Sequence, residues 1–329
     1  MIRRTFATLV SLYVFILALL ALLNIVLVDP PVWVALPGIF TAFGFTPLVL
    51  LIPLVFLINS LQLRIATLAF YALFVLIFGP WLLPRGVPET DAPGLRFVTL
   101  NQLTNNDEVE RIVDAVTAHG ADVIAVQELS PAVADALAEL EDYPHRVLNP
   151  YETLGREPSI GLGVVSRYPL EAVAYDPATR VQEVSLRLED QNITLLNVHP
   201  PTPFGNDLPP EAFLSTTRSY DASVRNDNLA EILEQADEAQ KPVVILGDFN
   251  LSDFEAAYRD FAAEFENVYR AAEGGFGFTF PANRDLPPFP FIRIDHIWVS
   301  EEMTPLRAGT DCRETGSDHC LVWGEVALP

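Results

Sequence analysis

Lysine is all but missing from this chain: Lys241 is the only one among 329 residues. Binding to a phosphate backbone rests on Lys and Arg, and no basic stripe makes up the deficit. From Arg85 onward 17 basic residues face 42 acidic ones, a formal charge of −25. A body this acidic repels polyanions at long range, which argues against a dedicated nucleic-acid-binding protein. Cysteine is scarce as well. Cys312 and Cys320 are the only two, and their spacing lacks the Cys-x-x-Cys metal pattern. In an oxidising compartment, on adjacent strands, they would form a disulfide; otherwise they are two small reduced side chains. Charge is absent from three long stretches near the N-terminus, which argues against a transport pathway through them. No internal repeat is present.

Those three stretches are Thr5–Val28, Val32–Ile58 and Ile65–Leu83. A spanning helix needs ~20 apolar residues, and each run meets that length. The first is too long for a signal peptide and lacks a small-residue cleavage site. Pro37, Gly38, Gly44, Pro47 and Pro53 interrupt the second, so its helix starts late or kinks. Three spans are expected; two spans around a re-entrant middle segment are the alternative. Arg3 and Arg4 precede the first run and Arg64 lies between the second and third. The positive-inside tendency then puts the N-terminus in the cytoplasm and everything after Leu83 outside. The reading is an anchor over residues 1–84, a Pro/Gly-punctuated linker over 85–93, and a soluble domain over 94–329.

The soluble part reads as strands at Leu95–Leu100, Val123–Val126, Ile160–Ser166, Val181–Leu188, Ile193–Val198, Val243–Leu246, Ile294–Val299 and Leu321–Ala327. Helices are expected at Val109–His119, Pro131–Leu140, Ser215–Ala236 and Phe254–Phe265. Some strands alternate with helices, and others follow each other directly, as in a hairpin joined by Glu189-Asp190-Gln191-Asn192. The fold class expected is α/β: two mixed sheets packed face to face with helices outside, a four-layer sandwich. Two proline-rich stretches, Pro200–Pro210 and Pro281–Pro290, read as ordered loops or lids.

Polar residues recur where apolar strands end: Asn101, Glu128, His199, Asp248 and Asn250. Strand ends on one edge form the rim where ligands bind. Single turn residues mean little, but these five come with Asp295, in Arg293-Ile294-Asp295-His296-Ile297, and with Ser317-Asp318-His319. A divalent ion offsets phosphate charge and stabilises displacement, and Mg²⁺ needs only one to three protein oxygens. Glu128, Asn101 and Asp318 are the candidate metal ligands. His319, oriented by Asp295, is the candidate proton acceptor. Asp248 and Asn250 would position water and phosphate, and His199 would donate to a phosphate oxygen. His296 points away from Asp295 by strand parity. Asp207 and Asp253 read as solvated loop or capping residues. Arg218 and Arg225 pair with acids or reach the substrate.

The ordered set Asn101, Gln127-Glu128, Asn197-Val198-His199, Gly247-Asp248-Phe249-Asn250, Arg293-Ile294-Asp295-His296-Ile297 and Ser317-Asp318-His319 resembles the endonuclease/exonuclease/phosphatase superfamily, in its membrane-anchored bacterial type. The resemblance covers Leu95 to Pro329. It implies a four-layer sandwich and a divalent metal, Mg²⁺ with Mn²⁺ as the alternative. It implies metal-site roles for Asn101, Glu128 and Asp318, a water- and phosphate-orienting pair in Asp248 and Asn250, an Asp295–His319 dyad, and the extra histidine His199. Either His319 or Asp248 is then the proton acceptor. The expected partner is a phosphate ester at a membrane surface, such as a phospholipid or its head group. The rivals are an extracytoplasmic nuclease and a non-catalytic anchored binding protein.

Overall fold

The computed structural model describes residues 2–28, 30–83, 86, 93–151, 160–188, 191–204, 219–282 and 289–328. The expected linker lies mostly outside them, as do Asp207, Arg218, residues 189–190 of the Glu189–Asn192 turn, residues 205–210 of the first proline-rich stretch and residues 283–288 of the second.

The apolar N-terminal part folds into α1 (Ile2–Val26), α2 (Val32–Ile39), α3 (Thr41–Gly44), α4 (Leu48–Leu57) and α5 (Leu61–Leu82). Two helices, α1 and α5, are each long and apolar enough to cross a membrane. The middle run is bent by 80° between α2 and the segment that follows it, so the described residues hold two such helices, or three if the bent pair is one span. The bend falls where proline and glycine interrupt the helical ladder.

The remainder alternates strands and helices: β1 (Gly94–Asn101), α6 (Val109–Thr117), β2 (Val123–Gln127), α7 (Pro131–Ala138), β3 (His145–Asn149), β4 (Leu162–Ser166), β5 (Leu170–Asp176), β6 (Val181–Arg187), β7 (Asn192–Val198), α8 (Ser223–Glu238), β8 (Val243–Asp248), α9 (Ala256–Glu264), β9 (Glu266–Asn267), α10 (Val268–Ala272), β10 (Asp295–Val299), β11 (Thr304–Asp311) and β12 (Leu321–Ala327). Two six-stranded mixed sheets result, in the orders β11-β12-β1-β2-β4-β3 and β5-β6-β7-β8-β10-β9. Each contains one parallel pair, β1 with β2 and β7 with β8; the β6–β7 pairing is antiparallel, as a hairpin requires. Leu95, Phe97, Val123, Ala125, Leu195, Val244, Leu246, Ile297 and Val299 fill the space between the sheets. Ile112, Val116, Val133 and Leu137 pack α6 and α7 on the outside of one sheet, and Leu229, Ile232 and Phe261 pack α8 and α9 outside the other. The four layers follow from burying both faces of both sheets.

The strands absent from the sequence reading are β3, β5, β9 and β11, and all four are sheet edges. Edge strands are paired on one side only and need no continuous apolar run. In β5 most residues are exposed.

The sandwich rests on the apolar helices. Asn24 donates from Nδ2 to the Phe254 carbonyl (2.7 Å), and Gly275 N donates to the Trp81 carbonyl (2.6 Å). Trp81 stacks under the Arg270 guanidinium at 3.9 Å. Asp253, expected to be solvated, is instead buried: it accepts two 3.0 Å bonds from Arg270 and is paired with Arg293. Its position in a polar loop gives no sign of this; the partners come from α10 and from the approach to β10. Burial opposes its charge, yet the two guanidiniums win and hold its carboxyl well below the usual range. We expect Asp253→Asn to destabilise the protein by about 3–5 kcal/mol, because it leaves two buried guanidiniums underpaired. Chemical unfolding checks this. The stabilisation is present above the ordinary carboxylate range and drains away as pH falls below it towards the depressed native value.

Candidate active site

Strand parity explains how the site is built. In β1 the inward residues run Leu95, Phe97, Thr99, Asn101; in β2 they run Val123, Ala125, Gln127. Val244 and Leu246 in β8 lead to Asp248, and Ile297 and Val299 share a face with Asp295 in β10. The apolar core between the sheets therefore continues as a polar edge, because residues two apart share a face. The parallel pairs end on the same side, and register places Asp295 opposite Asp248 across the antiparallel pair.

Behind the rim, Gln127 donates to Thr99 Oγ1 (2.9 Å) and to Asn197 Oδ1 (2.7 Å), and Asn197 donates to Gln182 Oε1 (3.2 Å). All four residues are buried. This network ties one sheet to the other just below the site. The sequence reading gave Gln127 and Asn197 no role. The available signal was an amide on the inward parity of an otherwise apolar strand.

Glu128 and Asn250 both have positive φ, 55° and 49°. Such backbone costs ~1–3 kcal/mol each and persists where the surroundings enforce it. At Gly247 (φ 144°) a Cβ would lie 2.0 Å from the Val198 carbonyl oxygen. Glycine is required there for β8 to close on β7 and bring Asp248 beside His199.

The side chains converge. Asn101 Nδ2 donates to Glu128 Oε1 (3.1 Å) and Asp248 Oδ2 (3.0 Å). His199 Nε2 lies 3.7 Å from Glu128 Oε1 and 3.5 Å from Asp248 Oδ2. His319 Nδ1 faces both Asp295 oxygens at 3.0–3.1 Å, while its Nε2 is 3.7 Å from Asp248 Oδ2 and 4.0 Å from Asp318 Oδ1. Asn250 N donates to Asp248 Oδ1 (2.9 Å), and Asn250 Nδ2 donates to the Pro200 carbonyl (3.1 Å). Arg225, one of the two arginines left open, pairs with Glu255 at 2.5 Å and donates to the Asn250 carbonyl at 2.6 Å. It braces the Asn250 turn rather than facing the cleft. His296 is fully buried with Nε2 2.7 Å from the Leu251 carbonyl. Burial, aided by Arg293, pushes it down to about 3, so it stays neutral and structural.

The charges are interdependent. Burial works against ionised Glu128, but His199, Thr104 and Asn101 outweigh it and hold its pKa below the ordinary value. Thr104 contributes its backbone N–H at 2.5 Å and its hydroxyl, both to Oε2; it was missed because it lies in a polar turn. Burial pushes the Asp248 carboxyl up. Burial also opposes charge on His319, yet Asp295 and Asp248 overcome it and raise its pKa to about 10.

Among the described residues, no lysine or arginine lies within ion-pair distance of Glu128, Asp248 or Asp295. Carboxylate oxygens that face histidines and, among the described residues, no lysine or arginine fit a divalent cation such as Mg²⁺. Among the described residues, Asp248, Asp295 and His319 bring ligand-type atoms within 4.8 Å of one another. His319 Nδ1 is committed to Asp295, which favours a dyad over a cation cage there. Asn101 is oriented by contacts at both ends of its amide. Its Oδ1 accepts from Leu103 N (3.0 Å) and its NH₂ faces the carboxylates, so it holds Glu128 and Asp248 together as a donor.

The Ser317-Asp318-His319 turn is pinned by Ser317 Oγ, which donates to the Asn101 carbonyl (2.6 Å) and accepts from His319 N (3.0 Å). Cys312 and Cys320 form a disulfide that brackets it. Closing a loop this short constrains the unfolded chain by ~2–3 kcal/mol. We expect Cys312→Ser to lower stability by about that amount, read as a shifted denaturant midpoint.

A family model described as endonuclease/exonuclease/phosphatase family matches residues 98–319. No curated protein matches the chain. Among solved structures, an endonuclease/exonuclease/phosphatase from Bacteroides vulgatus is similar at 18% identity and TM-score 0.55, over 72% of this chain and 100% of that one. D. rerio TDP2 complexed with single-strand DNA product matches at 16% identity and TM-score 0.54, over 71% and 99%. A 3′-5′ exonuclease from Neisseria meningitidis matches at 18% and 0.51, over 70% and 98%. At these identities the likeness to the solved structures is one of fold.

Proposed function

The chain belongs to the endonuclease/exonuclease/phosphatase family, and from that premise we propose that it is a membrane-anchored, divalent-metal-dependent phosphoesterase. It hydrolyses a phosphodiester or phosphomonoester by in-line attack of water. The observation that supports this best is the meeting of Asn101, Glu128, His199, Asp248, Asn250, Asp295 and His319, from both sheets, at one edge of the sandwich.

Glu128 and Asp318 would hold the cation, Mg²⁺ or Mn²⁺; when bound it supplies charge neutralisation at the phosphate. Asp248 and Asn250 orient the attacking water. Asp295 fixes the His319 ring, and His319 and Asp248, close and both buried, titrate as one unit. That pair takes up the water's proton. His199 Nε2, aimed between Glu128 and Asp248, donates to phosphate oxygens as charge builds. Asn101 keeps the carboxylates in register.

A nuclease is the second reading, favoured by the nuclease-type neighbours of the fold and opposed by a charge of −25 with a single lysine. A binding protein with a degenerate site is disfavoured, since every site side chain is in place. A panel of DNA, phospholipids, inositol phosphates and bis-p-nitrophenyl phosphate, each with Mg²⁺ and with chelator, tests the reading. Because the sandwich packs on the helices, the panel belongs on the full chain. Activity on no phosphate ester overturns it.

The basic residues Arg3, Arg4 and Arg64 support a cytoplasmic N-terminus and an extracytoplasmic catalytic domain. The disulfide supports the same side, since such bonds persist in oxidising compartments. A C-terminal alkaline phosphatase fusion is expected to be active; a fusion active only as a cytoplasmic reporter reverses the orientation.

A further inference from the structure

We propose that the ester this site hydrolyses is a phospholipid in the same bilayer that holds the helices; this rests on the phosphoesterase reading and adds its substrate. The observation is a short aromatic bridge from the catalytic histidine to the apolar helices. Phe280 lies against the His319 ring at 4.9 Å. Its backbone pairs with the far side of the same loop, Phe291 N donating to Phe280 O at 2.9 Å. The Phe291 ring in turn packs on Phe43 at 4.9 Å and Phe40 at 6.0 Å. Phe40 and Phe43 sit at the bend of the middle apolar segment. Two paired residues thus separate the catalytic ring from a bent apolar element.

A second route leads to the same place. Phe254 follows Asn250 by four residues, no more than about 14 Å of chain. It packs against Phe78 (5.8 Å) and Trp81 (5.1 Å) of α5, and its carbonyl accepts from Asn24 of α1. One loop beside the rim is therefore held against the bent apolar segment and the loop after Asn250 against helices of membrane-spanning length, and the Asp253–Arg270–Trp81 stack braces that second joint. Polar head groups occupy only about 5–8 Å beyond each face of the hydrocarbon. A rim fixed this close to the helices stays at the bilayer surface, where lipid phosphates are concentrated. Phe289, 55% exposed, stands in the same loop. The acidic surface discourages a polyanion arriving from solution, whereas lipid reaches the rim by lateral diffusion.

The chemistry is hydrolysis: the water oxygen bonds to phosphorus, one P–O ester bond breaks, the leaving alcohol oxygen gains a proton, and the phosphate product gives its other proton to the buffer. The test places the full chain in vesicles of phosphatidylcholine, phosphatidylethanolamine and phosphatidylglycerol with Mg²⁺. It follows loss of intact lipid beside hydrolysis of added bis-p-nitrophenyl phosphate and single-stranded DNA. Lipid turnover is expected to exceed DNA turnover by at least about tenfold. The Phe40→Ala/Phe43→Ala double variant is expected to lower lipid turnover at least about fivefold while leaving the soluble ester within about twofold, since only presentation to the bilayer is changed. Hydrolysis of the soluble ester or DNA with lipid left intact overturns the lipid assignment and leaves the phosphoesterase reading standing. An equal loss on both substrates in the double variant also overturns it. Hydrolysis of neither ester overturns the phosphoesterase reading itself. The comparison of lipid with DNA uses the unaltered chain and does not depend on how the variant folds.

Discussion

His319→Ala is expected to lower phosphodiester turnover by at least ~100-fold, about 3 kcal/mol of transition-state stabilisation, the range typical of a lost proton-transfer group. The ring is held on one side by two contacts to Asp295 and faces Asp248 and Asp318 on the other. Removing it leaves Asp295 and Asp248 as buried carboxylates without the cation that balances them, so the variant loses both a proton carrier and a local charge. Asp295→Asn separates these effects. It keeps the shape and one contact to Nδ1 but removes the charge that helps raise the ring's pKa to about 10. Its expected signature is a displaced pH–rate profile in addition to a lower kcat. A His319→Ala variant that keeps its turnover removes His319 from the chemistry.

Glu128→Ala is expected to cost at least ~100-fold as well, through the metal rather than the proton. Thr104 engages Oε2 from two groups, which leaves Oε1 as the oxygen turned towards Asn101, His199 and the cleft. That arrangement spends one carboxylate oxygen on positioning and presents the other. The two variants are told apart by their metal dependence. Glu128→Ala is expected to require a higher Mg²⁺ concentration for half-maximal rate, and calorimetry on the protein without substrate is expected to show weaker Mg²⁺ binding. His319→Ala leaves that concentration close to the unaltered value. Equal Mg²⁺ affinity in the Glu128 variant assigns the metal to other residues.

Much of this architecture is written in local pattern. Val123–Val126 and Val243–Leu246 are short apolar runs that a buried central strand requires, and both appear in the structure with a carboxylate at or just beyond their ends. The edge strands β3, β5, β9 and β11 are not legible in that way, since one side of each is solvated and their identity depends on the neighbour that pairs with them. The site residues are legible because charge at the end of a buried strand is costly unless it is used. What supports them is not: Asp253 looks like loop chemistry until Arg270 and Arg293, 17 and 40 residues away, close on it. Asn101 shows a further limit. Its residue type allows either an oxygen ligand or an N–H donor, and only the Leu103 N–H contact orients the amide. Packing of the sandwich on the helices was likewise invisible, because nothing in the local pattern around Phe254, Phe276 and Phe291 marks them as partners of the apolar helices.

One titration bears most directly on the whole account: the rate of bis-p-nitrophenyl phosphate hydrolysis by the full chain as Mg²⁺ is removed with chelator and then returned. The account predicts a rate that falls to background on chelation, recovers in a saturable way with added Mg²⁺, and fails to recover in Glu128→Ala at the concentration that suffices for the unaltered protein. Hydrolysis that persists unchanged in excess chelator would contradict it.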